Sequence, residues 1–270
     1  MTDHSREGKL AATALRRTNW FLAVLFNVFL VASAQAGPNK VFGSHWAWSN
    51  NFKNSAIEVT FGDSPTPKIT AAFNFDRYDL YGYPACIRGW HYGWNPAGDT
   101  LFPVQVAAAT ALPCKFSYSS SGTELVGDFA YDVFLRSDDA KANPQLEVMI
   151  WGGNNSRPIG TRTAEKVIST GGWTFDLWEG MNDPAGYYVY SFVPHDPAAA
   201  HNALANGTLN VDLKPFFNWL QVNRSKGGHY TDAMYVDVVE AGFEIVRGKG
   251  SVTMSATIET TRTPAIMPAR

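Results

Sequence analysis

Gln145-Leu-Glu-Val-Met-Ile-Trp151, run as a strand, sorts its side chains onto two unlike faces. Leu146, Val148 and Ile150 make an unbroken aliphatic row suited to a core, while Glu147, Met149 and Trp151 share the other side. A charge in mid-strand costs free energy unless its face opens to solvent or is paired. A carboxylate beside an indole on one sheet face suits a sugar-binding cleft; the same pattern also fits an exposed glutamate on a solvated antiparallel face. Tyr235-Val-Asp-Val-Val-Glu-Ala-Gly-Phe-Glu-Ile-Val246 repeats the arrangement, with Val239, Ala241, Phe243 and Ile245 on one face and Val238, Glu240, Gly242 and Glu244 on the other. Gly242, lacking a side chain, would let a ligand approach the backbone. Periodicity does not choose between Glu240 and Glu244.

The elements that must hold these carboxylates read as short alternating runs: Ala56-Ile-Glu-Val-Thr-Phe61, Ile69-Thr-Ala-Ala-Phe-Asn-Phe75, Leu125 to Leu135 and Ser251 to Ile258. Gly-Asp, Asn-Pro, Gly-Gly and Asp-Pro pairs punctuate them. Many short strands at this spacing predict a β-sandwich. Leu213, Phe216, Phe217 and Leu220 recur instead at helical spacing, and Pro215 is tolerated in a first turn, so one short helix is expected there, packed outside the sandwich.

These segments carry a resemblance to a known family. Glu147-Val-Met-Ile-Trp151 resembles the Glu-x-Met-Ile-Trp strand of glycoside hydrolase family 12, and Ala241-Gly-Phe-Glu244 followed by Gly248 resembles its Gly-x-Glu strand. Gly127-Asp-Phe-Ala-Tyr-Asp-Val-Phe134, Pro158-Ile-Gly160, Tyr190-Ser-Phe-Val193 and Asp212-Leu-Lys-Pro-Phe-Phe217 resemble further segments of that family, in the same order. The resemblance implies an all-β jelly-roll sandwich of two antiparallel sheets with an open cleft, and endo-hydrolysis of β-1,4-glucan with Glu147 as nucleophile, Glu244 as general acid/base and Asp132 beside the nucleophile. A retaining mechanism would set the two glutamate carboxyls about 5 to 5.5 Å apart. A xyloglucan-specific hydrolase, or a catalytically silent carbohydrate-binding or wall-loosening sandwich, are the alternatives; a binder has no need of paired glutamates.

For sugar contact, Trp151 and Met149 share the face of Glu147, and Pro158 lies in the segment resembling the family's cleft-crossing loop. Trp90-His-Tyr-Gly-Trp94 is dense in aromatics, so Trp90 and Trp94 are candidates for stacking or for packing, and His91 for hydrogen bonding to a sugar hydroxyl. Trp46 and Trp48 alternate onto one strand face and are further stacking candidates, with a shielded core edge as the other reading.

The chain has 270 residues with nine Trp, 11 Tyr and 17 Phe, and a formal net charge of -2. Its basic residues are scattered rather than striped, which argues against nucleic acid, and no cofactor or metal motif occurs. Arg16 and Arg17, the apolar run from Trp20 to Ala32 and the small residues Ser33-Ala-Gln-Ala36 read as a secretory leader over residues 1–36. The expectation is a secreted monomer, free of the membrane once cleaved, with a catalytic domain over 37–260 and a frayed tail over 261–270. Export to an oxidising compartment favours a disulfide between Cys86 and Cys114; two buried free thiols are the alternative.

Overall fold

The computed structural model describes residues 37–53 and 55–262, so the expected leader and most of the tail lie outside the described residues. Among the described residues no helix is long and apolar enough to cross a membrane.

Two long strands, Pro113–Arg136 and Tyr235–Ile258, organise the molecule. They pair antiparallel along nearly their whole length and pass from one layer of the sandwich into the other. Register shifts between Ile245 and Lys249, with Gly122 and Gly248 at positive φ, mark the crossing. A Cβ on Gly122 would lie 2.2 Å from the Lys249 carbonyl oxygen, so bulk is excluded at that bend.

One layer is built on the 127–136 and 235–245 halves. It runs from Asn39–Phe42 through His45–Trp48 and Ala85–Gly89 to the two long strands, then Leu146–Asn154, Tyr187–Pro194, Trp173–Asn182 and Thr161–Thr170. The Leu146–Asn154 and Tyr187–Pro194 strands pair in parallel within this otherwise antiparallel layer. The other halves pair with Lys68–Phe75, which in turn pairs with Glu58–Phe61, and with short strands at Asn206–Thr208 and Val211–Asp212.

Alternation holds as expected. Phe129, Tyr131, Val133, Leu135, Val148, Ile150, Val239, Ala241, Phe243 and Ile245 point into the main core between the layers. Their neighbours form a second apolar cluster on the opposite face of the first layer, including Trp46, Trp48, Tyr83, Ala130, Met149, Trp151, Tyr187 and Val238. Leu146–Asn154 is buried on both faces, so its polar side chains are shielded by structure rather than solvated.

The expected helix spans Lys214–Arg224, with Pro215 in its first turn and Phe216, Phe217 and Leu220 buried. Phe216 packs edge-on against Phe175 and Phe192. A shorter helix, Pro197–Ala203, precedes it, capped by Asp196, whose side chain accepts from the Ala198 and Ala199 N–H groups. Thr261 and Arg262, placed by the sequence reading in a frayed tail, pair with Ala109–Ala111.

Cys86 and Cys114 are free buried thiols, which corrects the expected disulfide. Cys86 points into the core from the first layer and Cys114 from the second. Packed layers stand about 10 Å apart, beyond the roughly 7 Å Cα separation a disulfide tolerates. Burial pushes the Cys86 thiol up to about 12 and that of Cys114 well above its usual value.

Candidate active site

The period of two, applied to three adjacent strands, gathers the carboxyls. Asp128 and Asp132 on the first long strand, Glu147 on Leu146–Asn154, and Glu240 and Glu244 on the second long strand all occupy the face away from the main core. Cross-strand register puts Glu147 opposite Phe134 and Glu244 opposite Asp128, with Ala130 and Asp132 between those two levels. Asp132 is level with both Met149 and Glu240. The two glutamates therefore flank, on one face, the stretch of strand that carries Ala130 and Asp132.

Glu240 and Glu244 are not equivalent. Tyr83 lies over Gly242 between them: a Cβ at Gly242 would sit 2.7 Å from the tyrosine ring. Gly242 thus makes room for Tyr83 rather than for a ligand, a correction to the sequence expectation. The Tyr83 hydroxyl donates to the Ala130 carbonyl at 2.9 Å, fixing the ring as a partition. On one side of it, Glu240 accepts from His91 Nδ1 at 2.5 Å. On the other, Glu244 stands directly opposite Asp128 in register, their carboxyls close enough to share a hydrogen bond.

Electrostatics follow from burying these groups together. Burial, then Glu244, then Glu240, pushes the Glu147 carboxyl up to about 8. Asp132 is held well above the usual carboxylate range by burial first and by Glu147 next. Burial raises Glu244 while the Asp128 hydrogen bond opposes the rise. Of the other carboxylates, Glu244 acts most strongly on Glu147, although Glu240 lies closer to it in register.

Aromatic groups wall the cluster. Met149 and Trp151 are buried on this face as their period requires. Trp94 meets Trp46 edge-on at 4.5 Å between centroids and Trp48 at 5.6 Å, and His91 packs on Trp48 at 5.0 Å. Trp46 is fully buried and donates its indole N–H to the Gly89 carbonyl at 3.3 Å, so it is packing rather than a free stacking platform. The Trp48 and Trp151 indole N–H groups are sealed from solvent and meet no protein acceptor. Pro158 is half-buried in the loop after Asn154, beside Ile159, which packs on the aromatic cluster.

Trp90 is not brought to this face. It packs on the main core, donates to the Phe102 carbonyl at 2.9 Å and lies under Lys141 Nζ at 4.6 Å. Sequence reasoning passed over Asp128, although Asp128 and Asp132 share a face by the period of two. It also passed over Tyr92 and Tyr187, whose hydroxyls lie 3.4 Å apart and feel the Glu147 charge.

Comparison with known proteins agrees with this architecture. The sequence model of glycosyl hydrolase family 12 matches residues 48–259. The chain is 27% identical over 176 residues to the xyloglucan-specific endo-beta-1,4-glucanase A of Aspergillus niger, a match covering 59% of this chain and 66% of that relative. It thus spans just under two thirds of that relative's length. A metagenome-derived glycoside hydrolase family 12 endoglucanase superposes with a TM-score of 0.69 at 20% identity, covering 84% of this chain and 96% of the other. The family 12 xyloglucanase of Bacillus licheniformis gives 0.67 at 22% identity, covering 85% and 98%. With the fold, the paired carboxylates and a family match over most of the described residues, the chain belongs to glycosyl hydrolase family 12.

Proposed function

We propose that this chain hydrolyses internal β-1,4 linkages of glucans with retention of anomeric configuration. The observation that carries this reading is the gathering of Glu147 and Glu244 in one carboxyl cluster on an aromatic-walled face, where Glu244 acts on Glu147 more strongly than Glu240 does, while His91 engages Glu240 separately. In the first step a Glu147 oxygen bonds to the anomeric carbon as the bond to the leaving oxygen breaks, and the Glu244 O–H proton passes to that oxygen. In the second, Glu244, now a carboxylate, takes a proton from water as the water oxygen attacks the same carbon, and Glu147 leaves as carboxylate. Two like charges in one buried cluster disfavour double ionisation. A proton on Glu244 therefore relieves Glu147, and that is the arrangement the first step needs. Asp132, held well above the usual carboxylate range by burial and then by Glu147, keeps its own proton while Glu147 ionises and so tunes the nucleophile.

Proton NMR of the first-formed product tests the stereochemistry: a β-configured reducing end is expected, and an α-configured one would overturn retention.

The substrate within the glucans rests on the relatives. The Aspergillus proteins are named xyloglucan-specific, which favours xyloglucan over unbranched cellulose. Reducing-sugar release from xyloglucan, mixed-linkage glucan, carboxymethylcellulose and xylan compares these directly; xylan as the best substrate would refute the glucan assignment. Export as a monomer is part of the same proposal, resting on the charge and hydropathy pattern of residues 1–36. A secreted protein starting near Gly37 and eluting at monomer size is the expected result.

A further inference from the structure

Asp128 is fully buried on the cleft face, at the same level as Glu244 on the neighbouring strand. Its Oδ2 accepts from the Ser156 hydroxyl at 2.5 Å, while its Oδ1 is sealed from solvent and meets no N–H or O–H donor of the protein. Directly opposed in the cross-strand register and projecting from the same face, the Asp128 and Glu244 carboxyls lie close enough for a hydrogen bond, and one between two carboxyls requires a proton on one of them. We propose that Asp128 is a positioning residue that shares a proton with Glu244 and confines the acid/base step to the acidic side of the pH range. This inference rests on the assignment of Glu244 as the acid/base.

The consequence follows from counting protons on the pair. With two protons, Asp128 O–H can donate to Glu244, whose own proton is free for the glycosidic oxygen. As that proton leaves, the new Glu244 carboxylate is already hydrogen-bonded by Asp128. With one proton, the bond between the two oxygens is charge-assisted and strong, so the proton is held between the carboxyls and not delivered. Losing the first proton from such a pair is easy because the shared bond stabilises the product, and losing the second is hard. The useful state is therefore the doubly protonated pair with Glu147 ionised.

Other titratable groups around the pair reinforce the split without replacing it. Glu147 faces it from the Leu146–Asn154 strand, Asp132 and Glu240 from its own strands, and Tyr83 from the segment before Ala85. Ser156 contributes a hydroxyl and no charge. No lysine or arginine forms an ion pair with Asp128 or Glu244 among the described residues.

Asp128→Asn separates this role from simple packing, because the amide is a permanent donor of nearly the same shape that never titrates. The pH profile of kcat/KM on a soluble β-glucan should keep its acid limb and move its alkaline limb upward by about one pH unit or more, a roughly tenfold gain over wild type on the alkaline side. An alkaline limb that stays in place or moves downward overturns the proposal. Should the variant fail to fold, carbon-13 carboxyl NMR of the wild-type chain decides: Asp128 and Glu244 should each show both steps of one coupled titration, and two independent single-step curves refute it. Wild-type protein with no β-glucan hydrolysis at any pH would instead sink the assignment of activity, leaving the pair to be judged on the NMR titration alone.

Discussion

Buried charge is handled in opposite ways at two places in this molecule. At Arg88 the charge is met by acceptors: Nε donates to Asp99 Oδ2 at 2.8 Å, and Nη1 donates to the Ile258 carbonyl at 2.6 Å and to Glu259 Oε2 at 2.8 Å. Arg88 and Asp99 are 4% and 5% exposed, so this is an ion pair inside the protein. On the cleft face, Asp128, Asp132, Glu147, Glu240 and Glu244 are crowded together, and the basic partner among the described residues is His91, on Glu240. Asp128 Oδ1 and Asp132 Oδ1 have no donor at all. Neutralising a charge fixes structure; leaving like charges to compete for protons makes groups that change protonation easily. The first arrangement stabilises the fold, and the second costs stability that the surrounding sandwich must supply.

The largest effect expected from breaking this contrast is at Glu147. Glu147→Gln removes the attacking oxygen and should lower turnover by about 10⁴-fold or more. The same change should also stabilise the protein at high pH. The Glu147 carboxyl sits at about 8 in the folded chain, above its unfolded value. Stability is therefore fully present below about pH 4.5 and lost as pH rises through 8. A glutamine cannot ionise, so its melting temperature should exceed wild type above pH 8 and approach it in acid. A variant equally active, or destabilised at every pH, would contradict the reading of the cleft as electrostatically strained.

Arg88 is the counter-test. Arg88→Met keeps most of the volume and strands Asp99 in the interior, which should cost about 3–5 kcal/mol. Urea denaturation measures it, and a loss below about 1 kcal/mol would mean the network is solvated. The two substitutions thus move stability in opposite directions although both remove a buried charge.

Much of this was legible in the sequence where the physics is local. The period of two placed Glu147, Met149 and Trp151 on one face, and the 213–220 spacing located the helix. Asp128 is equally legible, four residues before Asp132 and on the same face of the strand, though only Asp132 falls in the Tyr-Asp pair of the family resemblance. The Pro197–Ala203 helix left an Asp-Pro-Ala-Ala-Ala signature that also reads as a turn. What could not be read was non-local. That Tyr83 would occupy the space over Gly242 depends on a segment far away in sequence. Trp90 escapes the cleft because Gly89, at φ 111°, ends its strand and breaks the alternation. Reasoning from compartment told which state two cysteines prefer, but not that they would sit in separate layers.

A smaller effect is expected at Asp132. It lies in the same buried carboxyl cluster and feels the Glu147 charge, without being assigned to attack the sugar. Asp132→Asn removes a buried carboxyl that competes with Glu147 for a proton, so kcat/KM should fall by roughly 10-fold or more at the wild-type optimum and the acid limb should move. The fold should survive, since Asp132 Oδ1 makes no hydrogen bond that would be lost. An unchanged acid limb would leave Asp132 as packing.

The smallest effect tests whether charge strain is peculiar to the cleft. Asp237 is 1% exposed, and neither carboxyl oxygen has a hydrogen-bond donor. It sits at a register shift between Val236 and Val238, where the second long strand carries an extra residue against its partner. Burial raises its carboxyl to about 7, with Arg136 pulling down and Asp138 and Asp139 pushing up. The unfolded chain ionises this group near 3.9. Between about pH 4 and 7 the folded state therefore binds the extra proton, and stability falls as pH rises through that window. Asp237→Asn should have a melting temperature that gains on wild type across the same window and then runs parallel above it, with activity unaffected because the residue lies outside the carboxyl cluster. Curves parallel from pH 4 to 9 would show that Asp237 is paired in solution. Buried strain would then be confined to the catalytic face.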